Sequence, residues 1–148
     1  MRVYRKGMMK RGLLIKLIWR DNDIVEARVS ASNGEFAGTA DMYLSYGALK
    51  ELAEGLRSFP TASADARDVE IGDLDNNGSG GATVRLYMVD RAGHMAITLT
   101  LLAGTLRGTG QIVTMHSAIE AAAVDDFVSE LMRMNDEVGT HAFLRFSL

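Results

Sequence analysis

Residues 24–42 read IVEARVSASNGEFAGTADM, with alternating apolar and polar residues on both sides of Asn33-Gly34. Asn-Gly is the dipeptide that two-residue type I′ turns favour, so the stretch predicts a β-hairpin. With Asn33 and Gly34 as the loop, the numbers of paired residues add up to 67. The apolar residues then meet on one face: Ala31 with Phe36, Val29 with Gly38, Ala27 with Ala40 and Val25 with Met42. Turn chemistry and hydrophobic alternation thus predict the same register.

The runs on either side of this hairpin predict a strand before it and a helix after it. Residues 13–20 (LLIKLIWR) form the strand. Ser45 is expected to cap the helix, and Pro60, the only proline in the chain, is expected to end it. A connection at 61–67 follows. The apolar residues of the helix fall on one stripe: Leu49, Leu52, Ala53, Leu56 and Phe59.

A second hairpin is predicted in the middle of the chain. A short strand beginning at Val69 leads into the loop 73–81, and strands at 82–89 and 95–102 follow. These two strands flank DRAG at 90–93, which is typical of a type I turn followed by a bulge. That turn pairs residues whose numbers add up to 184, whereas matching the apolar residues requires 185. The sequence leaves the register open between these two.

The C-terminal part predicts a helix between two strands. A strand at 110–116 precedes a capping box, Ser117 to Glu120, which opens the helix. The run 142–146 is the closing strand. The core-facing stripe of the helix consists of Ile119, Ala123, Phe127, Leu131 and Met134.

Together these elements predict an α+β fold: an antiparallel, meander-rich sheet of about six to eight strands, with two amphipathic helices packed on one face. The 148 residues are a usual length for one domain. Seven of the sixteen Lys and Arg residues lie in the first twenty positions, which contain no acid. Residues 21–148 contain nine basic and nineteen acidic residues, a formal charge of −10. We therefore expect a basic, flexible N-terminal segment at 1–12 and a single domain at 13–148.

Composition excludes several classes of function. The chain has no cysteine, which excludes thiolate catalysis, cysteine-based zinc sites and disulfides and favours a reducing compartment. The apolar run at 13–15 is too short to span a bilayer, and no cleavage site follows it. We expect a cytoplasmic protein without a membrane partner. The acidic body disfavours binding to nucleic acid.

One loop resembles the first half of a calcium site. Asp73, Asp75, Asn77 and Gly78 follow the spacing of an EF-hand loop. The twelfth position, which requires a bidentate Glu, is Val84, and a strand is predicted there instead of a helix. Turn chemistry alone accounts for such a string, so we expect no metal site.

Histidines and aromatic residues on strands are the next candidates for a site. His94, His116 and His141 are scattered along the chain without metal-ligand spacing and are expected at the ends of elements, on or near the surface. No Gly-x-Ser-x-Gly elbow indicates a catalytic triad. Trp19 and Tyr87 lie on predicted strands, where core or cross-strand packing is the expected role. The sequence assigns no catalytic residue.

Acidic pairs and glycines give no better site. Asp125 and Asp126 are neighbours on a helix and diverge by about 100°, so they do not form a catalytic pair. Glu51 and Glu54 share the solvated face of the first helix. The glycine-rich loop 78–81 lacks the lysine of a phosphate-binding loop and does not open a helix. We expect no cofactor.

Three motifs carry a resemblance to a known group of proteins. They are NGEFAG at 33–38, the helix from Leu49 to Pro60 and DRAGH at 90–94. In this order and spacing they resemble WapI-like immunity proteins and related small bacterial domains of unknown function, over residues 24–101. The resemblance implies a non-enzymatic bacterial protein, some of whose relatives bind and neutralise a toxin domain. It implies no particular binding residue.

Two functions of different classes remain. The first is a non-enzymatic protein-binding module, immunity-like in its specific form, whose acidic surface docks on a basic partner such as a toxin domain. The alternative is a small enzyme or ligand carrier with a pocket between sheet and helices, with His94 or His116 inside it. A closed apolar core favours the first, and a deep pocket that holds a histidine and a carboxylate favours the second. The sequence leaves the oligomeric state open.

Overall fold

Eight strands and two helices surround one hydrophobic core in the computed structural model, which describes residues 10–74, 79–104 and 110–147. The predicted α+β class, with antiparallel strands and two amphipathic helices, is confirmed. In chain order the elements are β1 (Gly12–Arg20), β2 (Ile24–Ser32), β3 (Ala37–Ser45), α1 (Ala48–Leu56), β4 (Ala66–Gly72), β5 (Gly81–Met88), β6 (Met95–Ala103), β7 (Gln111–Ile119), α2 (Ala121–Met134) and β8 (His141–Arg145).

The strands divide into two four-stranded sheets instead of one continuous sheet. The first sheet has the order β3-β2-β1-β8, and the second has the order β4-β5-β6-β7. All neighbouring strands are antiparallel. Helix α2 packs against β8 and α1, and α1 packs against β4, so the helices connect the two sheets on one side of the core.

Each sheet buries one face and leaves the other open to solvent. In the first sheet, alternate residues of β1 and β2 such as Leu13, Ile15 and Val29 are fully buried. The predicted stripes of both helices also reach the core, including Phe59 after α1 and Phe127 in α2. Alternation within the strands and the 3.6-residue period of the helices therefore account for which face of each sheet and helix is buried.

The first hairpin has a register two residues away from the predicted one. Paired residue numbers add up to 69, as for Ala31 with Gly38, and not to 67. The loop is Gly34-Glu35, closed by the N–H of Asn33 donating to the Phe36 carbonyl at 3.1 Å. The Asn33 carboxamide oxygen accepts from the N–H groups of Glu35 (3.0 Å) and Phe36 (2.9 Å), which makes Asn33 a closing residue. Because the shift is even, the residues of β2 and β3 keep their predicted faces, whereas Phe36 lies before β3 and is exposed instead of meeting Ala31.

Gly34→Val should lower the free energy of unfolding by about 1 kcal/mol or more, because a β-branched residue resists positive φ. Gly34 has a φ of 92° at the first central position of the loop, where type II′ turns place glycine. Urea unfolding measures the change. Glu35→Val is the control at the second loop position, and equal stability of the two variants would contradict the turn geometry.

The second hairpin adopts neither of the two expected registers. Paired residue numbers in β5 and β6 add up to 183, as for Leu86 with Ile97. The Val89 N–H donates to the His94 carbonyl at 2.8 Å, which closes a four-residue loop. Inside it the Asp90 carboxylate accepts from the backbone N–H of Ala92 at 2.9 Å and that of His94 at 3.3 Å. The acidic side chain therefore replaces the expected bulge as the organiser of the turn.

Both predicted helix caps are wrong, because strand pairing extends through them. Ser45 is the last residue of β3 and pairs with Ile24, and α1 begins after Gly47, which has a φ of 85°. Ser117 pairs with Ile97 in the second sheet, so β7 continues to Ile119 instead of ending at the capping box. Ser45 and Ser117 are thus held in strands, and the residues before the two helices are Gly47 and Glu120, neither of which makes a side-chain cap hydrogen bond.

Candidate functional site

The open face of the first sheet carries a row of three side chains at one end. Glu26 of β2 lies between Trp19 of β1 and Tyr43 of β3 and is the cross-strand partner of both. The two rings meet in a T-shaped arrangement, with centroids 6.4 Å apart and an interplanar angle of 77°. Trp19 is 44 % exposed and Tyr43 is 48 % exposed. Two large aromatic rings thus flank a carboxylate on a surface open to solvent.

A β-bulge in β1 brings Trp19 to this face. Leu13, Ile15 and Leu17 point into the core, and simple alternation would send Trp19 the same way. The register between β1 and β2 shifts between Leu17 and Trp19, so one extra residue reverses the alternation. The bulge therefore supplies an exposed tryptophan that the sequence pattern assigns to the interior.

The next row on the same face contains an ion pair between strands. The Arg28 guanidinium donates to the two carboxylate oxygens of Asp41 at 2.8 and 3.0 Å. The hydrogen bonds that Arg28 donates to Asp41, together with the charge of that carboxylate, raise the pKa of Arg28 above its ordinary value. This bidentate pair joins β2 to β3 beside the aromatic row.

Three chain segments meet next to the aromatic row. The Tyr46 hydroxyl donates to the Asp21 carbonyl, and the Asp136 carboxylate accepts from the Gly47 N–H at 3.2 Å. The Arg20 guanidinium donates to the Asp136 carbonyl at 3.1 Å. These bonds fix the β1–β2 turn and the C-terminal end of α2 against the start of α1.

The β1–β2 turn presents acidic side chains at this corner. The Asp21 carboxylate accepts from the backbone N–H groups of Asp23 (2.8 Å) and Ile24 (2.9 Å), and these bonds lower the pKa of Asp21. Asp21 and Asp23 are both exposed. We call the surface the aromatic–acidic end; it comprises Trp19, Asp21, Asp23, Glu26, Tyr43, Tyr46 and Asp136.

The three histidines are exposed and separate, as predicted, but His116 lies within β7 and not at its end. His94 contacts the Asp90 carboxylate through Nδ1 at 2.7 Å in the β5–β6 turn, and this hydrogen bond lowers the pKa of Asp90. His116 contacts the hydroxyl of Thr98 at 2.9 Å on the open face of the second sheet. His141 begins β8. The fold does not bring them together.

Two cavities test the alternative of a pocket with catalytic groups. A cavity of about 210 Å³ between β3, α1 and β4 is lined mostly by apolar residues, together with Tyr43, Ser45 and Glu70. A groove of about 360 Å³ beside β8 contains Glu130 and His141. The Glu130 carboxylate there accepts from the Phe143 N–H at 2.7 Å, a structural role. Among the described residues, neither His94 nor His116 lines either cavity.

Acidic and glycine-rich motifs also have structural roles where they are described. Glu54 pairs with Arg57 on the exposed side of α1, and Asp125 and Asp126 are adjacent and exposed on α2. At Gly80 a Cβ atom would lie 2.5 Å from the Asp41 carbonyl of β3, so this position needs glycine for the close approach of two segments. No phosphate cradle follows from this packing.

Metal and membrane features are absent from the part of the chain that the structure describes. Of the calcium half-motif, Asp75 and Asn77 lie outside the described residues. Within 10–74, 79–104 and 110–147, no group of three His, Asp or Glu side chains could hold a metal ion. None of the described helices has the length and apolar character needed to cross a bilayer.

The sequence predicts core or cross-strand packing for both Tyr87 and Trp19, and the fold places them on different sheets. Tyr87 is half-buried under the Arg85 guanidinium, 5.7 Å from its ring centroid, on the second sheet. Trp19 stands at the aromatic–acidic end. Comparison of the chain with protein-family models, with curated proteins and with solved structures finds no match.

Proposed function

We propose that this protein is a non-enzymatic protein-binding module that docks a basic partner on the aromatic–acidic end. The observation that carries the proposal is the exposed Trp19–Tyr43 pair around Glu26. Tryptophan and tyrosine are enriched among the residues that dominate binding energy at protein interfaces. Fixed on two strands of one sheet, on either side of β2, these rings lose little conformational freedom when a partner covers them.

Charge supports a basic partner. The body of the chain, residues 21–148, has a formal charge of −10, and the aromatic rings stand beside Asp21, Asp23 and Glu26. Complementary charge accelerates the encounter with a basic surface and disfavours acidic competitors. Nucleic acid, which is itself an anion, is disfavoured as a partner of this surface.

The specific form of the proposal is an immunity-like protein of a bacterial cytoplasm, whose partner is a basic toxin domain. The resemblance of residues 33–38, 49–60 and 90–94 to WapI-like immunity proteins supports this form. An inhibitor of this kind acts by covering a surface, and it needs no catalytic group of its own. A toxin gene next to the gene of this protein would support the toxin-specific form, and a gene for an unrelated basic protein would favour another partner.

The test compares partner binding by the wild type and by Trp19→Ala/Tyr43→Ala. A basic protein captured by the wild type should bind the double variant at least about 30-fold more weakly, the loss expected for interface anchors. Its association rate should fall as salt rises, because salt screens exposed charges. Phe36→Ala/Val89→Ala removes exposed apolar residues elsewhere and should bind normally. An acidic partner, or equal affinity for both double variants, would refute the proposal.

A further inference from the structure

We propose that the row Trp19–Glu26–Tyr43 receives an arginine side chain of the partner. The inference rests on the proposed function and specifies its chemistry: the guanidinium stacks on an exposed aromatic ring and forms an ion pair with Glu26.

The row places a carboxylate within reach of both rings. Glu26 is on the middle strand, and directly opposed residues of neighbouring strands have Cβ atoms about 4.5–5.5 Å apart. Because the rings of Trp19 and Tyr43 are in contact with each other, a ligand cannot enter between them. It can lie on the outer surface of a ring, since each ring is close to half exposed, and reach Glu26 from there.

The Glu26 carboxylate is available for such a contact. Among the residues that the structure describes, no hydrogen bond or ion pair occupies it. Arg28, its neighbour on the same face, donates two hydrogen bonds to Asp41, and Glu26 interacts with Arg28 only through its charge, which helps to raise the pKa of Arg28. The Arg28–Asp41 pair also demonstrates that a guanidinium fits a carboxylate in this bidentate geometry on the surface of the same sheet.

The chemistry of the row favours arginine over lysine. A guanidinium is planar, so it can stack on a ring and donate two parallel hydrogen bonds to one carboxylate. An ammonium is a compact, strongly hydrated charge that loses more hydration on an aromatic surface. The nearby carboxylates of Asp21 and Asp23 add a field that attracts either cation, so selectivity depends on the three residues of the row.

The bulge in β1 is the second observation that points to a ligand. It turns Trp19 from the core side of β1 to the solvent side, where Trp19 remains 44 % exposed in the free protein. Bulges of this kind often re-aim a side chain next to a functional site. A partner side chain that covers the ring accounts for its placement.

Trp19 is the only tryptophan of the chain, so its intrinsic fluorescence reports on this site alone. The experiment titrates the full chain with a hexaarginine peptide and, separately, with a hexalysine peptide at the same ionic strength. We expect a saturable change of tryptophan emission with both peptides, and at least about fivefold tighter binding of hexaarginine, from the stacking and bidentate contact.

Matched variants locate the contact. Glu26→Gln should weaken hexaarginine binding about tenfold, because it removes a charged acceptor. Glu51→Gln removes the same charge from the exposed side of α1 and should bind like the wild type. Tyr43→Phe should retain binding, and Tyr43→Leu should lose it several-fold because the aromatic surface is gone. Circular dichroism verifies that each variant is folded.

The outcomes separate this inference from the proposed function. Equal binding of the two peptides, or equal weakening by Glu26→Gln and Glu51→Gln, would overturn the inference that the row binds an arginine side chain. The proposed function, capture of a basic partner through Trp19 and Tyr43, would be unaffected by that result. Selective hexaarginine binding with no loss of partner binding in Trp19→Ala/Tyr43→Ala would overturn the proposed function. Selective binding that depends on Glu26, together with that loss, supports both.

Discussion

Phe127→Ala is expected to lower the free energy of unfolding by about 3–5 kcal/mol, the range for truncation of a buried phenylalanine. Phe127 is fully buried in α2, the helix that packs against both α1 and β8. The truncation leaves a cavity where the helical layer meets the first sheet. Urea unfolding measures the loss, with Phe36→Ala as control. Phe36 is 63 % exposed, so its truncation should change stability by less than about 0.5 kcal/mol.

An equal loss of unfolding free energy in the two variants would mean that packing of α2 against the core does not stabilise the fold. Asp136, which makes the carbonyl and carboxylate contacts at the aromatic–acidic end, lies after α2 and not on it. We therefore expect Phe127→Ala to weaken partner binding only through the fraction of unfolded protein.

Arg67 is the centre of a second, polar attachment of α1. Its guanidinium donates to the Asp65 carboxylate at 2.8 and 2.9 Å and to the carbonyls of Gly55 (3.3 Å) and Arg57 (2.9 Å) at the end of α1. It also lies over the Phe59 ring, 5.7 Å from the centroid. The side chain of Asp65 is only 10 % exposed, so this pair is shielded from solvent.

Arg67→Ala should cost about 2–3 kcal/mol at neutral pH, because it leaves a charged acceptor and two carbonyls without their donor. The hydrogen bond from Arg67 is the main cause that holds the pKa of Asp65 well below its usual range. Since the folded pKa is the lower one, the pair stabilises the fold above the unfolded pKa of about 3.9. This stabilisation is lost as pH falls from there through the folded pKa.

Unfolding of wild type and Arg67→Ala at neutral and acidic pH measures this effect. The difference in stability between the two proteins should shrink as the pH falls below about 4, because the unfolded chain then binds a proton at Asp65 while the folded wild type, with its lowered pKa, does not. Arg85→Ala is the control, because its ion pair with Asp68 is half exposed and should contribute less than about 1 kcal/mol. A pH-independent difference would show that packing of Arg67, and not its charge, attaches α1.

The class of fold could be predicted because it depends on patterns that the chain repeats. Alternation in residues 24–42 and the stripes that contain Leu52 and Phe127 each determine a buried face, and burial dominates the energy of the fold. Registers depend on local hydrogen bonds of single side chains. Asn33 and Asp90 each accept from backbone N–H groups in their turns, and either choice of turn residues fits the same hydrophobic pattern.

The division into two sheets and the candidate site required the structure. Both depend on contacts between residues far apart in sequence, such as the pairing of β8 with β1. The aromatic–acidic end depends in addition on one bulge, without which Trp19 would join Leu17 in the core. A bulge has no dependable sequence signature when its residues are ordinary strand formers, and Ile18 is one.

The hydrogen bond from the Phe143 N–H to Glu130 also protects the protein from pairing with other copies of itself through β8. β8 is an edge strand, and an edge with free N–H groups is a template on which a strand of another molecule can pair. Glu130 belongs to α2, so it accepts the hydrogen bond of this edge N–H only while the helix is packed against β8. Any state in which α2 has come loose, during synthesis or on heating, exposes β8 to aggregation. Docking of one helix thereby links the folding of this domain to its solubility.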